Sequence, residues 1–223
     1  MFNFFWKVCR NILLQPYRLW LYVLSLPERI YNKLHGLDFD TIVPMKQEGH
    51  RYYKPSGILA RHKIRKYLRG KVTDNDAIID IGCGKGRMLY FFSQFPFRLV
   101  DGLEYSQAMI EIAENNLAIL RKLHRGVEAI RVFQGDATLY DAYDEYNYFY
   151  LFNPFEEIIM TQFLRHIKES SARNPRDIHI IYHHPMHSAL FIAEGFKFEE
   201  ELPTLRLLKN SKIYVYLLPA KNV

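Results

Sequence analysis

This chain predicts an α/β fold: a doubly wound, mostly parallel seven-stranded sheet with a C-terminal antiparallel hairpin, preceded by an amphipathic helical extension. Three observations predict it. From Ile58 onward, short apolar runs alternate with stretches of helical period, as strands and helices do when they take turns along a parallel sheet. A glycine-rich bend, Gly82-Cys83-Gly84-Lys85-Gly86, joins the first apolar run to the helix that follows it. The last two apolar runs, Phe196 to Glu200 and Lys212 to Leu218, close the chain as an antiparallel pair.

Residues 1–36 form the extension. Asn3, Lys7, Arg10, Asn11, Arg18, Ser25, Arg29 and Asn32 fall on one stripe at 3.6 residues per turn. The remaining arc, with Phe2, Trp6, Ile12, Leu19, Trp20, Val23 and Ile30, is apolar and aromatic. Pro16 and Pro27 are expected to kink or divide this helix. Ser25 and Glu28 have capping-box spacing and would start a last short helix ending near Gly36. Arg18 and Pro16 interrupt the best apolar window, which falls short of the roughly 20 clean residues a membrane span needs. No small-residue cleavage site follows it, so a signal peptide is not expected either. Two readings remain: a helix lying in an anionic membrane surface through residues 1–34, or an apolar arc packed on protein.

Residues 37–57 read as a connecting loop broken by Pro44, Gly49, Pro55 and Gly57. The domain proper is expected over 58–223. Its first helix, Ile58 to Arg69, turns Ala60, Ile64, Tyr67 and Leu68 inward and its basic residues outward. Strands are expected at 77–80, 97–104, 127–133, 146–152 and 178–182, followed by the closing pair. Helices are expected over 88–92, 106–124, 155–169 and 185–193. Inward positions on the 106–124 helix are Met109, Ile112, Ala113, Leu117 and Leu120.

The stretch Ala77 to Glu104 is a strand, glycine turn, helix, strand unit, the minimal βαβ nucleotide site. Its spacing is not that of the dinucleotide fingerprint, because Arg87 stands where the third glycine would be. Asp80-Ile-Gly-Cys-Gly-Lys-Gly-Arg87 instead resembles motif I of the class I, Rossmann-like S-adenosylmethionine-dependent methyltransferases. Gly102-Leu103-Glu104-Tyr105-Ser106 resembles that superfamily's acidic ribose site, and Gly135-Asp136-Ala137 its adenine-contacting loop. Phe152-Asn153-Pro154-Phe155 resembles the element after strand four that faces the methyl acceptor, and is similar to that of bacterial members. The four motifs occur in the superfamily's order between Tyr53 and Leu218.

The resemblance implies a sheet with strand seven inserted antiparallel, and S-adenosyl-L-methionine as methyl donor. It implies that Gly82, Gly84 and Gly86, with Cys83 among them, form the wall of the amino-acid tail, with Asp80 orienting that loop or reaching the ammonium. Glu104, with Tyr105 beside it, would hold the ribose, and Asp136 and Ala137 the adenine. On the acceptor side it implies Asn153, Pro154 and Phe155; Tyr182, His183 and His184 lie on the same rim at the end of strand five, and one of them, such as His183, is a candidate base. Tyr53 lies in Tyr53-Lys54-Pro55-Ser56, which resembles a loop element of some protein lysine methyltransferases, and an amine such as a protein lysine is the acceptor so implied. The element here has one proline where amine-specific members have two.

Composition bounds the rest. The 223 residues suffice for one such domain plus an appendage, and 49% hydrophobic content excludes a disordered chain. Two cysteines, Cys9 and Cys83, give no disulfide framework and fit a reducing, cytoplasmic setting, peripheral to the inner membrane face if the extension binds lipid. His183, His184 and His187 lack a nearby cysteine or carboxylate in sequence, so no metal is expected. The formal charge is +6, unevenly spread. Residues 1–35 carry Lys7, Arg10, Arg18, Arg29 and Lys33 against Glu28, a local +4. Residues 50–71 carry eight basic side chains and no acid, so the remainder is mildly acidic. A basic front end suits a polyanionic partner. Nucleic acid is not favoured, because no base-reading module accompanies it. A non-catalytic scaffold that binds the donor is the reading from a different functional class.

Overall fold

The computed structural model describes residues 15–41, 56–127, 129–202 and 212–220. The chain divides into two compact units, residues 1–37 and 38–223.

Within the first unit, helix α1 spans Gln15–His35 as one continuous element with Pro27 inside it. The expected division at Pro27 does not occur. Pro27 removes a single backbone donor, the one that would have reached the Val23 carbonyl, and helical turns on both sides carry the element through. The capping box does not form either: the Ser25 hydroxyl donates to the Tyr22 carbonyl at 2.8 Å. The helix ends as expected, with Gly36 in the left-handed region at φ +73° and the Leu37 amide donating back to the Asn32 carbonyl.

The second unit opens with residues 38–41 and helix α2, Ile58–Leu68, which buries Ala60, Ile64, Tyr67 and Leu68. There follow β1 Ala77–Ile81, α3 Arg87–Phe92, β2 Leu99–Glu104, α4 Gln107–Leu123 and β3 Ile130–Gln134. A short 3-10 turn, Ala142–Glu145, precedes β4 Tyr148–Phe152 and α5 Glu157–Arg173. The chain closes with β5 Ile178–His183, α6 Ser188–Ala193, β6 Lys197–Leu202 and β7 Ile213–Leu218. The strands form one sheet in the order β3-β2-β1-β4-β5-β7-β6. The first five run parallel, and β7 is inserted antiparallel between β5 and β6. The βαβ alternation and the terminal hairpin predicted the doubly wound sheet, and the inserted β7 is what the family resemblance implied.

Every side chain of β1 is buried, as a central strand covered on both faces demands. One core cluster gathers Ile79, Phe149, Phe163, Ile180, Phe191 and Tyr216, among others, between the sheet and the helices. On α4, Ile110 and Asn116 are buried where Ile112 was expected, and Ile112 is half-buried. Parallel strands bring their carboxyl ends to one edge, so the segments after β1, β2, β3, β4 and β5 gather there.

Candidate functional site

The bend after β1 is held by its own backbone. The Gly82 and Cys83 amides both donate to the Leu103 carbonyl of β2, at 2.8 and 3.2 Å. Gly82, Gly84 and Gly86 all have positive φ, and at Gly82 (+75°) a β-carbon would also stand 3.1 Å from Pro154 Cβ. On β2, a β-carbon at Gly102 would lie 2.7 Å from Cys83 Sγ. These two glycines let the β1 turn, β2 and the segment after β4 approach one another. Burial, followed by the charges of Asp80 and Glu104, pushes the Cys83 thiol well up, so it stays protonated and packs rather than reacts.

Two carboxylates flank the bend. Glu104 is buried, with Oε2 accepting the Gly84 amide and Oε1 the Ser106 amide, both at 2.9 Å. Each oxygen keeps further lone-pair capacity for a ligand hydroxyl. Asp80 is buried too, and no donor among the described residues reaches its carboxylate. Burial first, and then the Glu104 charge, holds the Asp80 pKa well above the usual carboxylate range. At the tip of β3, Asp136 Oδ1 accepts from the Thr138 amide and hydroxyl at 2.8 and 2.7 Å. Ala137 is buried, and its carbonyl accepts the Tyr143 hydroxyl. Tyr105, two-fifths exposed, stands beside Glu104 at the rim.

The segment after β4 has its own geometry. Asn153 adopts a left-handed backbone, φ 41°, which asparagine tolerates better than most side chains, and it is buried. Its Oδ1 accepts the Tyr182 hydroxyl at 2.9 Å. Behind it lies a buried polar chain: the Tyr150 hydroxyl bonds Ser56 Oγ at 2.7 Å and His183 Nδ1 at 3.0 Å. The His183 ring stacks on Phe152 with centroids 4.0 Å apart. Phe155 turns into the core beside Phe163, while Pro154 faces Gly82. Tyr53 lies outside the described residues. No group of three or more histidine, cysteine or acidic side chains among the described residues is arranged to hold a metal ion.

Two features were not read from the sequence. Tyr150 and Ser56 join His183 in a contact across 94 residues that no local pattern announces. The second is a strap. Asp38 Oδ2 accepts from the Lys85 ammonium at 2.7 Å, and that lysine side chain is wholly enclosed although it sits in the glycine bend. Asn116 locks the contact: its Oδ1 accepts the Asp38 amide, and its Nδ2 donates to the Asp38 and Lys85 carbonyls. Asp40 pairs with Arg87 at 2.7 Å. The only sequence signal was acid in 38–41 against base in 85–87.

Residues 78–173 match a family model described as a methyltransferase domain. The match spans the glycine bend, both flanking carboxylates and the segment after β4, in a sheet of the matching strand order. The fold is that of the class I, Rossmann-like methyltransferases. Among solved structures, this chain is similar to a glycopeptide N-methyltransferase (TM-score 0.58, 11% identity, 72% of this chain and 95% of that one). It is also similar to an S-adenosylmethionine-bound amino pentose methyltransferase from Micromonospora echinaspora (0.53, 14%, 70% and 89%). A third is an RNA methyltransferase from Salinibacter ruber in complex with S-adenosyl-L-homocysteine (0.50, 14%, 76% and 97%). At these identities the likeness is one of fold. No curated protein matches the sequence significantly.

Proposed function

We propose that this chain transfers a methyl group from S-adenosyl-L-methionine. The observation that carries the reading is the pair of buried carboxylates, Asp80 and Glu104, on adjacent strands beside a bend where a β-carbon would strike Pro154. The group fits these residues. Asp80, without a donor among the described residues, suits the ammonium of the amino-acid tail; Glu104 keeps acceptor capacity for the ribose hydroxyls; Asp136 and Ala137, just past β3, would contact the adenine. That two of the similar solved structures hold S-adenosylmethionine or its demethylated product supports the same donor.

When bound, the donor supplies an electrophilic methyl on sulfonium, so the protein's task is to place an acceptor electron pair in line with it and keep water out. Asn153 orients that acceptor. The Tyr182 hydroxyl takes one of the two lone pairs of its Oδ1, and the amide NH2, a donor that bonds no described residue, is the larger part of what Asn153 offers. A donor there favours an oxygen acceptor over the amine implied by the sequence resemblance, since an amine needs its own N–H groups accepted. Tyr150 fixes the ring orientation of His183, placing a titratable group on the same rim to take the acceptor's proton.

Calorimetry on the full chain tests the donor. Glu104→Ala should weaken S-adenosylmethionine binding about 10- to 100-fold, the loss expected when charge-assisted hydrogen bonds go. Unchanged affinity would overturn the assignment. Incubation with methyl-labelled donor and cell extract, followed by mass spectrometry of the labelled product, tests the acceptor. Label on oxygen supports the reading, label on lysine nitrogen overturns its acceptor part, and binding without transfer identifies a scaffold.

A further inference from the structure

Helix α1 carries an apolar stripe that the domain's chemistry does not use. Leu19, Val23, Ile30 and Leu34 are 64%, 51%, 55% and 77% exposed, and Trp20 is 49% exposed. At 3.6 residues per turn these side chains and Pro27 fall within about 100° of the helix circumference. From Leu19 to Leu34 the stripe runs roughly 22 Å. Along one flank stand Tyr22, also half-exposed, and Arg29, whose guanidinium lies over the Tyr22 ring at 5.2 Å, with Lys33 one turn on. Glu28, the one acid between Gln15 and His35, is on the opposite face. No described helix is long and apolar enough to cross a membrane.

We propose that this stripe docks α1 in the plane of an anionic lipid surface, apolar side chains below the headgroups and Arg29 and Lys33 among them. Three observations favour lipid over protein as the occupant. Tryptophan and tyrosine at the border of an apolar sector, with basic side chains beside them, match the layering of a bilayer interface. The sign of the charge disfavours a second copy, because a two-fold pairing would set one +4 segment against another. Pro27 lies in the stripe and leaves the Val23 carbonyl without its helical donor. Interfacial water and headgroups satisfy that carbonyl, whereas a dry protein contact would strand it. The inference is independent of the methyl-transfer reading.

The test is co-sedimentation of the full chain with vesicles of phosphatidylcholine alone or mixed with phosphatidylglycerol. The chain should sediment with the anionic vesicles, less with the neutral ones, and less again as salt rises. Ile30→Glu with Leu34→Glu should weaken binding roughly tenfold or more while the S-adenosylmethionine affinity and helix content stay unchanged. Arg29→Glu with Lys33→Glu should abolish the preference for anionic lipid. Failure to sediment with either vesicle overturns the proposal. So does binding indifferent to Ile30→Glu with Leu34→Glu, or a concentration-dependent dimer in equilibrium sedimentation that this pair of changes dissolves.

Discussion

Asp80 and Glu104 are two carboxylates in one buried neighbourhood with different fates. Glu104 receives two backbone amides; Asp80 receives none from the described residues and faces the Glu104 charge. Asp80 therefore holds its proton above the usual carboxylate range in the free protein. A cationic ammonium placed against it lowers its pKa, so binding below the free-state pKa expels a proton. Donor affinity should then rise with pH until Asp80 ionises in the free protein, and level beyond. Calorimetry in buffers of different ionisation enthalpy measures the released proton directly. Asp80→Asn should flatten the profile and abolish the release. Unaltered pH dependence in that variant would remove Asp80 from the ammonium site.

At the scale of elements, the strap 38–41 joins the glycine bend to α4 through one ion pair and one asparagine. Lys85 is wholly enclosed, so taking away the carboxylate opposite it leaves a buried ammonium without that counter-charge. Asp38→Asn should cost about 1–3 kcal/mol, read by urea denaturation. Adding Lys85→Met should recover part of that loss, because the charge goes with its partner. Elements with a period were legible in the sequence: the buried face of α2 and the seven strands fall where the apolar pattern put them. So did the glycine bend and its two carboxylates, which lie within one βαβ unit. What was missed has no period. The 3-10 turn is four residues long, the strap pairs residues 47 apart, and Ser56 meets Tyr150 across 94 residues of sequence. Pro27 misled because the rule weighs the lost hydrogen bond and not the turns on either side that outvote it.

For the whole molecule, the two compact units predict unequal tolerance to truncation. Residues 38–223 contain every described strand, the strap and both carboxylates, and should fold when excised, with a cooperative urea transition. A chain stopped before Ile213 should not. It loses β7, whose Ile213 and Val215 are wholly buried, and β6 then has no neighbour to pair with. Solubility and the sharpness of unfolding of the two truncations compare them directly, and a soluble, cooperative chain without β7 would refute this. One earlier detail reaches further. The Cys83 sulfur is wedged over Gly102 with its proton firmly held, so an alkylating reagent meets it only when the bend swings open. In a chain lacking Cys9, the pace of its modification becomes a built-in clock for how often the cradle breathes, and for how far a bound guest slows it.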